Sequence, residues 1–481
     1  MNYKELITKL KENNLLISYD DVRINIDYVS YNSKDVKNNT LFVCKGVEFK
    51  KEYLEEAILK GASVYISEKK YDVSAFGIIV SNVRSALSII SSMFYTDDLF
   101  KIGITGTKGK TTVNYFIHNI LKHHLGYEPG IIATHKYYDG NGWGENELTT
   151  PESLELHKYF HNMTLNNLKY VSMEVSSQAV FHSRVFGMHF DIGAFLNISE
   201  DHISPLEHKN FEEYFNCKVG FLKLCDKIVL FKHTDYYEEV LENISDKEVI
   251  TYGYNDADYI IRNVEFNDNI SFEVFDGKNK ELYEINMLGR FNVVNATCAI
   301  VIAKLLGVSY ENICKGLLET SVSGRMNLIS GGVCPIIIDY AHNKLSAEAL
   351  YKSLKADFPD KKIKVLFGCT GNKGFNRRKE MGTLAGEYAS YVYLTADDPG
   401  NSTVKEICED ISKYIEKYHH NYEIIEDRKE AISKAISDVT SDDVLVLMGK
   451  GDENYQIIGN EFVPYETDMV IVSRELSKVK E

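Results

Sequence analysis

A glycine-rich turn between a predicted strand and a predicted helix carries residue types suited to phosphate chemistry. The strand FKIGIT (100–105) runs into Gly106-Thr107-Lys108-Gly109-Lys110-Thr111-Thr112, and an amphipathic helix follows. Glycines let backbone amides approach phosphate, Lys110 can reach the outer phosphates, and the Thr111 hydroxyl can bind magnesium. The usual spacing needs glycine at position 104, where isoleucine stands, so this is a shorter variant. An ordinary tight turn is the alternative, but the strand-turn-helix context favours phosphate binding.

The elements that position this turn are short apolar runs alternating with amphipathic segments. Runs such as YVSMEVS, DIGAFLNIS, CPIIIDYAH, IKVLFGC and DVLVLMG are separated by segments such as TVNYFIHNILKHHL, with apolar residues at spacings of three and four. This alternation is typical of parallel sheets covered by helices. The sequence therefore predicts an α/β fold.

Two changes in composition predict domain boundaries. A helical pattern gives way to TDD and then to the strand before the glycine turn, and a second series of strands and helices begins after SGRMNL. A chain of 481 residues is also long for a single compact domain. We predict three domains, at residues 1–97, 98–326 and 327–481.

The net charge, the cysteine pattern and the lack of long apolar stretches argue against several classes of protein. The net charge of -16 disfavours nucleic-acid binding, since neutralising phosphates needs a basic surface. The 8 cysteines are scattered singly, without a C-x-x-C pair. No stretch approaches the roughly 20 apolar residues that span a bilayer, and MNYKELITKLKENNLL does not resemble a signal peptide. We expect a cytoplasmic monomer with no nucleic-acid or membrane partner.

Further motifs occur in order along the chain and carry a family resemblance. They are GITGTKGKTT, TTPESLELH, MEVSSQAV, FDIGAFLNISEDHIS, FEEYFNCKVGFL, GRFNVVNA, SGRMN, DYAHN, ADDPG and GKGDENYQ. Together they resemble the Mur ligases, and the TTP, MEVSS and GKGxExYQ forms favour the tripeptide-synthetase branch. The resemblance implies an N-terminal UDP-binding domain, a central P-loop parallel-sheet ATPase domain and a C-terminal Rossmann-like domain that binds an amino acid.

The resemblance also implies a reaction of peptidoglycan precursor synthesis. ATP phosphorylates the D-glutamate carboxylate of UDP-MurNAc-L-Ala-D-Glu, and the amine of the third amino acid attacks the acyl phosphate. ADP, phosphate and an amide result. ATP, two Mg²⁺ ions and carbon dioxide, present as a lysine carbamate, are the implied cofactors.

The resemblance assigns roles residue by residue. Catalytic roles fall to Lys110, Glu174, His202 and Lys218. The metal ligands would be Thr111, Glu174, His202 and Lys218, with Lys218 carbamylated (N6-carboxylysine). ATP would contact Gly106, Thr107, Lys108, Gly109, Lys110, Thr111, Thr112, Asn295, Arg325, Asp339 and His342. The UDP-MurNAc-dipeptide would contact Ser33, Thr149, Thr150, Ser176, Gln178 and Arg184. The amino acid would contact Arg378, Asp397, Asp398, Gly400, Gly449 and Glu453.

Two positions depart from the family pattern. Gln178 replaces the usual histidine after MEVSS, which leaves its substrate contact open. Lys108 replaces the usual asparagine and adds positive charge near phosphate.

The motif Asp397-Asp398-Pro399-Gly400 bears on the choice of amino acid. Relatives that add meso-diaminopimelate have arginine at the last position, and glycine cannot replace its bidentate recognition of a carboxylate. Asp398 would favour a distal ammonium, so L-lysine is predicted. Three other acceptors stay open: meso-diaminopimelate, ornithine and another diamino acid. For meso-diaminopimelate, a cation such as Lys373 would replace the arginine. A related amide ligase of secondary metabolism and a nucleotide-binding scaffold without catalysis also stay open.

Overall fold

The structure is a computed structural model that describes residues 1–46, 49–199, 203, 207–266, 269–321, 326–329, 332–371, 375–451 and 453–479. The chain folds into two compact units. The first comprises Met1–Ile260 and Thr297–Gly316, and the second comprises Ile261–Ala296 and Leu317–Glu481.

Helices and strands alternate along the chain. The helices are α1 (Tyr3–Glu12), α2 (Lys51–Leu59), α3 (Val83–Phe94), α4 (Lys110–Leu125), α5 (Ser153–Leu165), α6 (Ser177–Phe181), α7 (Phe211–Leu222), α8 (Tyr237–Asn243), α9 (Arg290–Leu305), α10 (Tyr310–Glu319), α11 (Lys344–Asp357), α12 (Phe375–Tyr388), α13 (Val404–Ile415), α14 (Arg428–Asp438) and α15 (Asp468–Val479). The strands are β1 (Leu16–Tyr19), β2 (Tyr28–Ser30), β3 (Thr40–Val43), β4 (Ala62–Ser67), β5 (Phe76–Val80), β6 (Phe100–Thr105), β7 (Gly130–Ile132), β8 (Lys136–Tyr138), β9 (Trp143–Glu145), β10 (Tyr170–Glu174), β11 (Phe190–Phe195), β12 (Cys225–Phe231), β13 (Glu248–Gly253), β14 (Tyr259–Phe266), β15 (Ile270–Phe275), β16 (Lys280–Ile285), β17 (Asn327–Ile329), β18 (Ile336–Asp339), β19 (Lys362–Phe367), β20 (Tyr391–Leu394), β21 (Tyr422–Ile424), β22 (Asp443–Met448), β23 (Tyr455–Ile458) and β24 (Glu461–Pro464).

The N-terminal part of the first unit is a five-stranded sheet in the order β1-β5-β4-β3-β2. Only β1 runs antiparallel to its neighbour. Side chains alternate between the two faces, as the period of a strand requires. Leu41 and Val43 belong to the core with α1 and α3, whereas Phe42 and Cys44 pack in the cluster that contains α2.

The strands of the larger sheet that lie wholly within the first unit have the order β13-β12-β11-β6-β10-β7-β8-β9. Strand β6 lies between β11 and β10 and is parallel to both. The chain leaves β6 through α4, forms β7 two places away, and returns to form β10 beside β6. Open α/β sheets bind ligands where the strand order changes in this way, beyond the carboxyl ends of the strands. The turn after β6 therefore has the position of a binding loop.

The second unit contains a six-stranded sheet in the order β17-β18-β22-β19-β20-β21. All strands except β17 are parallel. Buried hydrophobic clusters lie on both faces of this sheet. Strands β15 and β16 form an antiparallel hairpin, and β23 and β24 form another.

These sheets confirm the α/β prediction. Among the residues that the structure describes, no helix is both long enough and apolar enough to cross a membrane. The proposed domain boundaries at residues 97 and 326 stay predictions.

Candidate functional site

The glycine turn after β6 folds around its own lysine. Helix α4 begins at Lys110, and Gly109 before it has φ of +89°, a conformation that glycine adopts without strain. The Lys110 ammonium donates to the carbonyl oxygens of Gly106 at 2.8 Å and Thr107 at 3.3 Å. This is the strand-turn-helix geometry predicted for a phosphate loop.

Asn197, just after β11, stabilises the glycine turn through three hydrogen bonds. The Thr107 amide donates to the Asn197 carbonyl at 3.0 Å, and the Lys108 amide donates to its side-chain oxygen at 2.9 Å. The Asn197 side-chain amide donates in return to the Lys108 carbonyl at 3.0 Å. Sequence reasoning included Asn197 in a motif but gave it no role. An asparagine two residues after a buried strand was the available signal.

A buried carboxylate lies beside the start of α4. Glu174 is the last residue of β10 and is 1% exposed. It accepts hydrogen bonds from the Thr111 hydroxyl at 3.0 Å, the Thr134 hydroxyl at 3.1 Å and the Thr134 amide at 2.8 Å. The structure thus brings together Thr111 and Glu174, two of the four predicted metal ligands. Their hard oxygen donors fit Mg²⁺.

Lys218 approaches the same turn from α7. It is 2% exposed, and its ammonium donates to the Gly106 carbonyl at 2.8 Å, the oxygen that Lys110 also contacts. The ammonium also lies 4.8 Å from the centre of the Tyr214 ring. The Tyr214 hydroxyl is 2.9 Å from the Thr107 hydroxyl. Two like charges therefore meet at one carbonyl oxygen. His202, the remaining predicted ligand, lies outside the described residues.

The hydroxyls predicted for the precursor form a chain that ends at Glu174. The Thr149 hydroxyl lies 3.2 Å from that of Thr134, whose single proton goes to Glu174. The Thr150 hydroxyl donates to the Glu174 carbonyl at 2.9 Å and accepts from the Ser176 amide at 3.0 Å. Thr149 is thus linked through Thr134 to the Glu174 carboxylate, and Ser176 through Thr150 to the Glu174 carbonyl, while their contact with the precursor stays a prediction.

Arg184 and Lys45 both contact Glu152, and only Arg184 was predicted from the sequence. Arg184 donates to the Thr150 carbonyl at 3.1 Å and to Glu152 at 3.0 Å, while Lys45 contacts the other Glu152 oxygen at 2.6 Å. Burial would raise the pKa of Glu152, but the hydrogen bond from Lys45 and the two positive charges lower it. Lys45 also lies 4.1 Å from the centre of the Tyr31 ring. Lys45 was not predicted, although it follows β3 in the segment that contains Ser33.

The other two predicted precursor residues have separate partners. The Gln178 amide nitrogen lies 3.3 Å from a ring nitrogen of buried His208. The Ser33 hydroxyl donates to Glu56 at 2.6 Å, and Lys60 donates to the Ser33 carbonyl. Among the described contacts, these link Ser33 to the region of α2 and not to the hydroxyl chain.

In the second unit, Asp339 organises the segment that contains the predicted nucleotide residues. Asp339 ends β18 and accepts from the amides of Met326 and Ala341, both at 2.8 Å. A ring nitrogen of His342 lies 2.8 Å from the Tyr340 carbonyl. Asn295, on α9, is buried and donates to the side chain of Asn292 at 3.1 Å. Arg325 lies outside the described residues.

Three carboxylates surround a lysine at the carboxyl edge of the second unit's sheet. We call Asp397, Asp398 and Glu453, whose ligand oxygens lie within 4.8 Å of one another, the acidic cluster. The ammonium of fully buried Lys450 is 2.6 Å from Glu453, 2.9 Å from Asp398 and 3.9 Å from Asp397. Burial raises the pKa of Asp397 to about 6, although Lys450 and Arg428 act against the shift.

Lys450 is a residue that sequence reasoning did not single out, although its motif was quoted. Burial opposes its charge, but the charge of Asp397 and the hydrogen bonds to Glu453 and Asp398 raise its pKa. Asp398 was predicted to meet a substrate ammonium. The structure shows that its Oδ1 already accepts from Lys450 and from the Ile457 amide at 3.0 Å.

Two glycines shape this cluster. Gly449 has φ of +105°, and a Cβ at this position would lie 2.7 Å from an Asp397 oxygen. Gly400 has φ of +55° and joins the aspartate loop to β23, since its amide donates to the Ile457 carbonyl at 2.9 Å. Arg378, on α12, is 8% exposed and lies 3.5 Å from Asp410. Lys373 lies outside the described residues.

Comparison with known proteins identifies relatives over nearly the whole chain. Residues 104–303 match the Mur ligase middle domain, and residues 324–451 match the Mur ligase glutamate ligase domain. The chain is 37% identical over 465 residues to the UDP-N-acetylmuramoyl-L-alanyl-D-glutamate--L-lysine ligase of Streptococcus thermophilus, covering 95% of this chain and 94% of that protein. It is 38% identical over 466 residues to the protein of that name from Enterococcus faecalis, covering 94% and 91%.

Solved structures show the same fold. A UDP-N-acetylmuramoyl-L-alanyl-D-glutamate--2,6-diaminopimelate ligase superposes with a TM-score of 0.75 at 23% identity, covering 100% of this chain and 99% of that one. MurF ligase of Thermotoga maritima, in complex with ADP, superposes with a TM-score of 0.58 at 17% identity, covering 94% and 98%. With the family matches and the two relatives above 30% identity, these findings show that the chain belongs to the Mur ligase family, in its tripeptide-synthetase branch.

Proposed function

We propose that this chain is an ATP-dependent ligase that adds L-lysine, as the third amino acid, to UDP-MurNAc-L-Ala-D-Glu. The observation that carries the proposal is the 37–38% identity to L-lysine ligases over at least 94% of the chain. The phosphate turn with its buried carboxylate and the acidic cluster supply the chemistry that such a reaction needs.

ATP would bind through the turn after β6. The amides at the start of α4 and the Lys110 ammonium face the charge of the phosphates. An oxygen of the D-glutamate carboxylate attacks the γ-phosphorus, and the bond to the bridging oxygen of ADP breaks. The products of this half-reaction are ADP and an acyl phosphate. Further nucleotide contacts are proposed for Thr112, Asn295, Arg325, Asp339 and His342.

Thr111, Glu174 and His202 would hold Mg²⁺. Bound Mg²⁺ neutralises phosphate charge during the transfer. Glu174 is buried and accepts from the Thr111 hydroxyl, so the two oxygen donors of this set are close together.

Lys218 would serve as a carbamate. Its ammonium first loses a proton, the neutral amine then forms a bond to the carbon of CO₂, and a second proton leaves the nitrogen, so that a cation becomes an anionic oxygen ligand. The contact of Lys218 and Lys110 with one carbonyl oxygen supports this proposal, because carbamylation removes a like charge from beside Lys110.

The precursor would bind near Thr149, Thr150, Ser176 and Arg184, with Gln178 close by and Ser33 as a contact from the N-terminal sheet. Hydroxyls and a guanidinium suit phosphate and carboxylate groups. The hydrogen bonds that join Thr149, Thr150 and Ser176 to the Glu174 region support a single binding region for the dipeptide.

The acceptor would bind at the acidic cluster, with Arg378 on its α-carboxylate. Its amine nitrogen attacks the carbonyl carbon of the acyl phosphate, loses a proton and releases phosphate. Three carboxylates around one lysine leave a negative excess that favours a diamino acid with an ammonium at its far end. Gly400 offers no cation for a second carboxylate.

We further propose a cytoplasmic monomer with three domains at residues 1–97, 98–326 and 327–481. Size-exclusion chromatography with light scattering tests the oligomeric state, and limited proteolysis followed by mass spectrometry tests the boundaries.

The activity test is ADP release by the purified protein with ATP, Mg²⁺ and UDP-MurNAc-L-Ala-D-Glu. L-lysine, meso-diaminopimelate and L-ornithine are compared as acceptors, with UDP-MurNAc-L-Ala as the control for the precursor. The expected result is release that requires both the dipeptide precursor and L-lysine. Preference for meso-diaminopimelate would overturn the acceptor assignment alone. Failure with every acceptor would overturn the assignment of the reaction.

A further inference from the structure

Arg428, the first residue of α14, carries a charge in the core of the second unit. It is 2% exposed, and Asp468 at the start of α15 is 0% exposed. Its guanidinium donates to the two Asp468 oxygens at 2.9 and 2.6 Å. The Tyr465 hydroxyl also donates to Asp468, at 2.7 Å. The buried ion pair is therefore well matched in charge and hydrogen bonds.

The remaining donors of this guanidinium reach two separate strands. One contacts the Ala396 carbonyl at 3.2 Å, just beyond β20, and another contacts the Met448 carbonyl at 3.0 Å, at the end of β22. These strands are not neighbours, because β19 lies between them. One planar group thus spans the ends of two strands separated by a third.

Each carbonyl immediately precedes residues of the acidic cluster and its lysine. Ala396 is followed by Asp397 and Asp398, and Met448 by Gly449 and Lys450. The contacts between the two loops are close, since Lys450 lies 2.9 Å from Asp398, and a Cβ on Gly449 would meet Asp397. A small change in the spacing of the loops would alter the distances from Lys450 to Asp397 and Asp398.

Stability alone is a weak reason for such a pair. Replacing a buried ion pair by apolar residues of similar size is often neutral or stabilising. The surroundings on this side of the sheet are apolar, including Ile432, Leu447 and Ile471. The fork of the guanidinium supplies geometry that lysine cannot, because an ammonium does not present several coplanar donors.

We propose that Arg428, held by Asp468, is a positioning residue that fixes the spacing of the loops 396–398 and 448–450 and thereby sets the affinity for the acceptor amino acid. The acceptor part rests on the proposed function. Arg428 touches no substrate in this proposal and acts through the two carbonyls.

The test compares the double variant Arg428→Met/Asp468→Leu with Arg428→Lys, which keeps the charge but loses the fork. The expected result is a folded double variant whose KM for L-lysine rises roughly tenfold or more, while KM for ATP stays within about twofold. Arg428→Lys should show a smaller rise in the same KM. Arg474→Met is the matched control, since Arg474 forms an exposed ion pair with Glu466.

Hydrogen exchange separates this proposal from the activity assignment. In either variant, amides of 395–400 and 447–451 should exchange faster, while those of β19 stay protected. Unchanged exchange together with an unchanged KM for L-lysine would overturn the proposal, as would an equal rise in every KM. A wild-type protein without lysine-dependent ADP release would overturn the proposed function, and the exchange data would still decide whether Arg428 fixes the loops. If the double variant does not fold, Arg428→Lys decides both points.

Discussion

In the first unit, two lysine ammonium groups donate to the carbonyl oxygen of Gly106, whereas in the second unit three carboxylates surround the ammonium of Lys450. Each arrangement crowds charges of one sign where burial makes crowding costly. Such crowding is typical of sites whose ligand supplies the opposite charge. In the first unit, carbamylation of Lys218 would relieve this crowding and leave Lys110 for the phosphates, whereas in the second unit an ammonium group suits the acidic cluster. The two regions thus differ in the sign of the charges that lie close together, but both favour a ligand of the opposite charge.

Removing Lys218 tests the first unit's side of this comparison and has the largest expected effect. If Lys218 acts as a carbamate, Lys218→Ala should lower kcat by on the order of 10²–10³-fold, because Mg²⁺ loses an anionic oxygen ligand and screens the phosphates less well. Added formate or acetate should restore part of the rate. Lys223→Ala, an exposed residue at the end of the same helix, is the control. Full activity of Lys218→Ala without additives would remove Lys218 from the mechanism.

Replacing Asp397 tests how much its buried charge in the acidic cluster lowers the stability of the folded protein. Its pKa in the folded protein is about 6, above the ordinary 3.8, because it is buried. The folded state therefore holds this proton more tightly, and stability falls as pH rises from about 4 to about 6. Asp397→Asn should raise the free energy of unfolding at pH 8 by about 2–3 kcal/mol, and by much less near pH 4.

Urea unfolding at the two pH values measures this effect, with exposed Asp360→Asn as the control for a lost surface charge. Equal stability of wild type and Asp397→Asn at pH 8 would mean that Lys450 and Arg428 fully compensate the buried carboxylate. The buried charge of Asp397 would then not lower the free energy of unfolding.

Asp398→Asn sharpens the comparison by removing one charge while keeping an acceptor for Lys450 and the Ile457 amide. Weaker attraction for a distal ammonium should raise KM for L-lysine by about tenfold, which corresponds to about 1.4 kcal/mol. KM for ATP should change little. Competition assays with L-lysine and meso-diaminopimelate measure the shift, with exposed Asp442→Asn as the control. An unchanged KM for L-lysine would assign Asp398 to holding Lys450 alone.

Much of the geometry of the first unit's candidate site followed from sequence because it depends on local order. The strand, the glycine turn and the helix place Lys110 and Thr111 together without any long-range contact. Glu174 followed from its motif, and the parallel pairing of β10 with β6 explains why it lies beside Thr111. The alternation of strands and helices was likewise sufficient for the α/β fold, and the comparisons confirmed the family.

The partners that the sequence did not reveal come from contacts across long stretches of chain. Lys450 meets Asp398 only because β22 inserts between β18 and β19, an order that periodicity does not encode. Lys45 and Glu152 are 107 residues apart, and a lysine in a polar loop is usually solvated. Asn197 contacts the glycine turn because β11 lies beside β6. Strand order, rather than strand identity, was the missing information.

The smallest expected effect comes from Lys108, where the family usually has asparagine. Lys108 is exposed, and its backbone, rather than its side chain, makes the contacts with Asn197. An exposed charge near phosphate gains little in water and is screened by salt, so Lys108→Asn should raise KM for ATP by no more than about threefold at low salt. The difference should vanish at about 0.5 M salt, where the screening length is a few ångströms. A larger effect that persists at high salt would mean that Lys108 contacts the nucleotide directly, as a second cation beside Lys110.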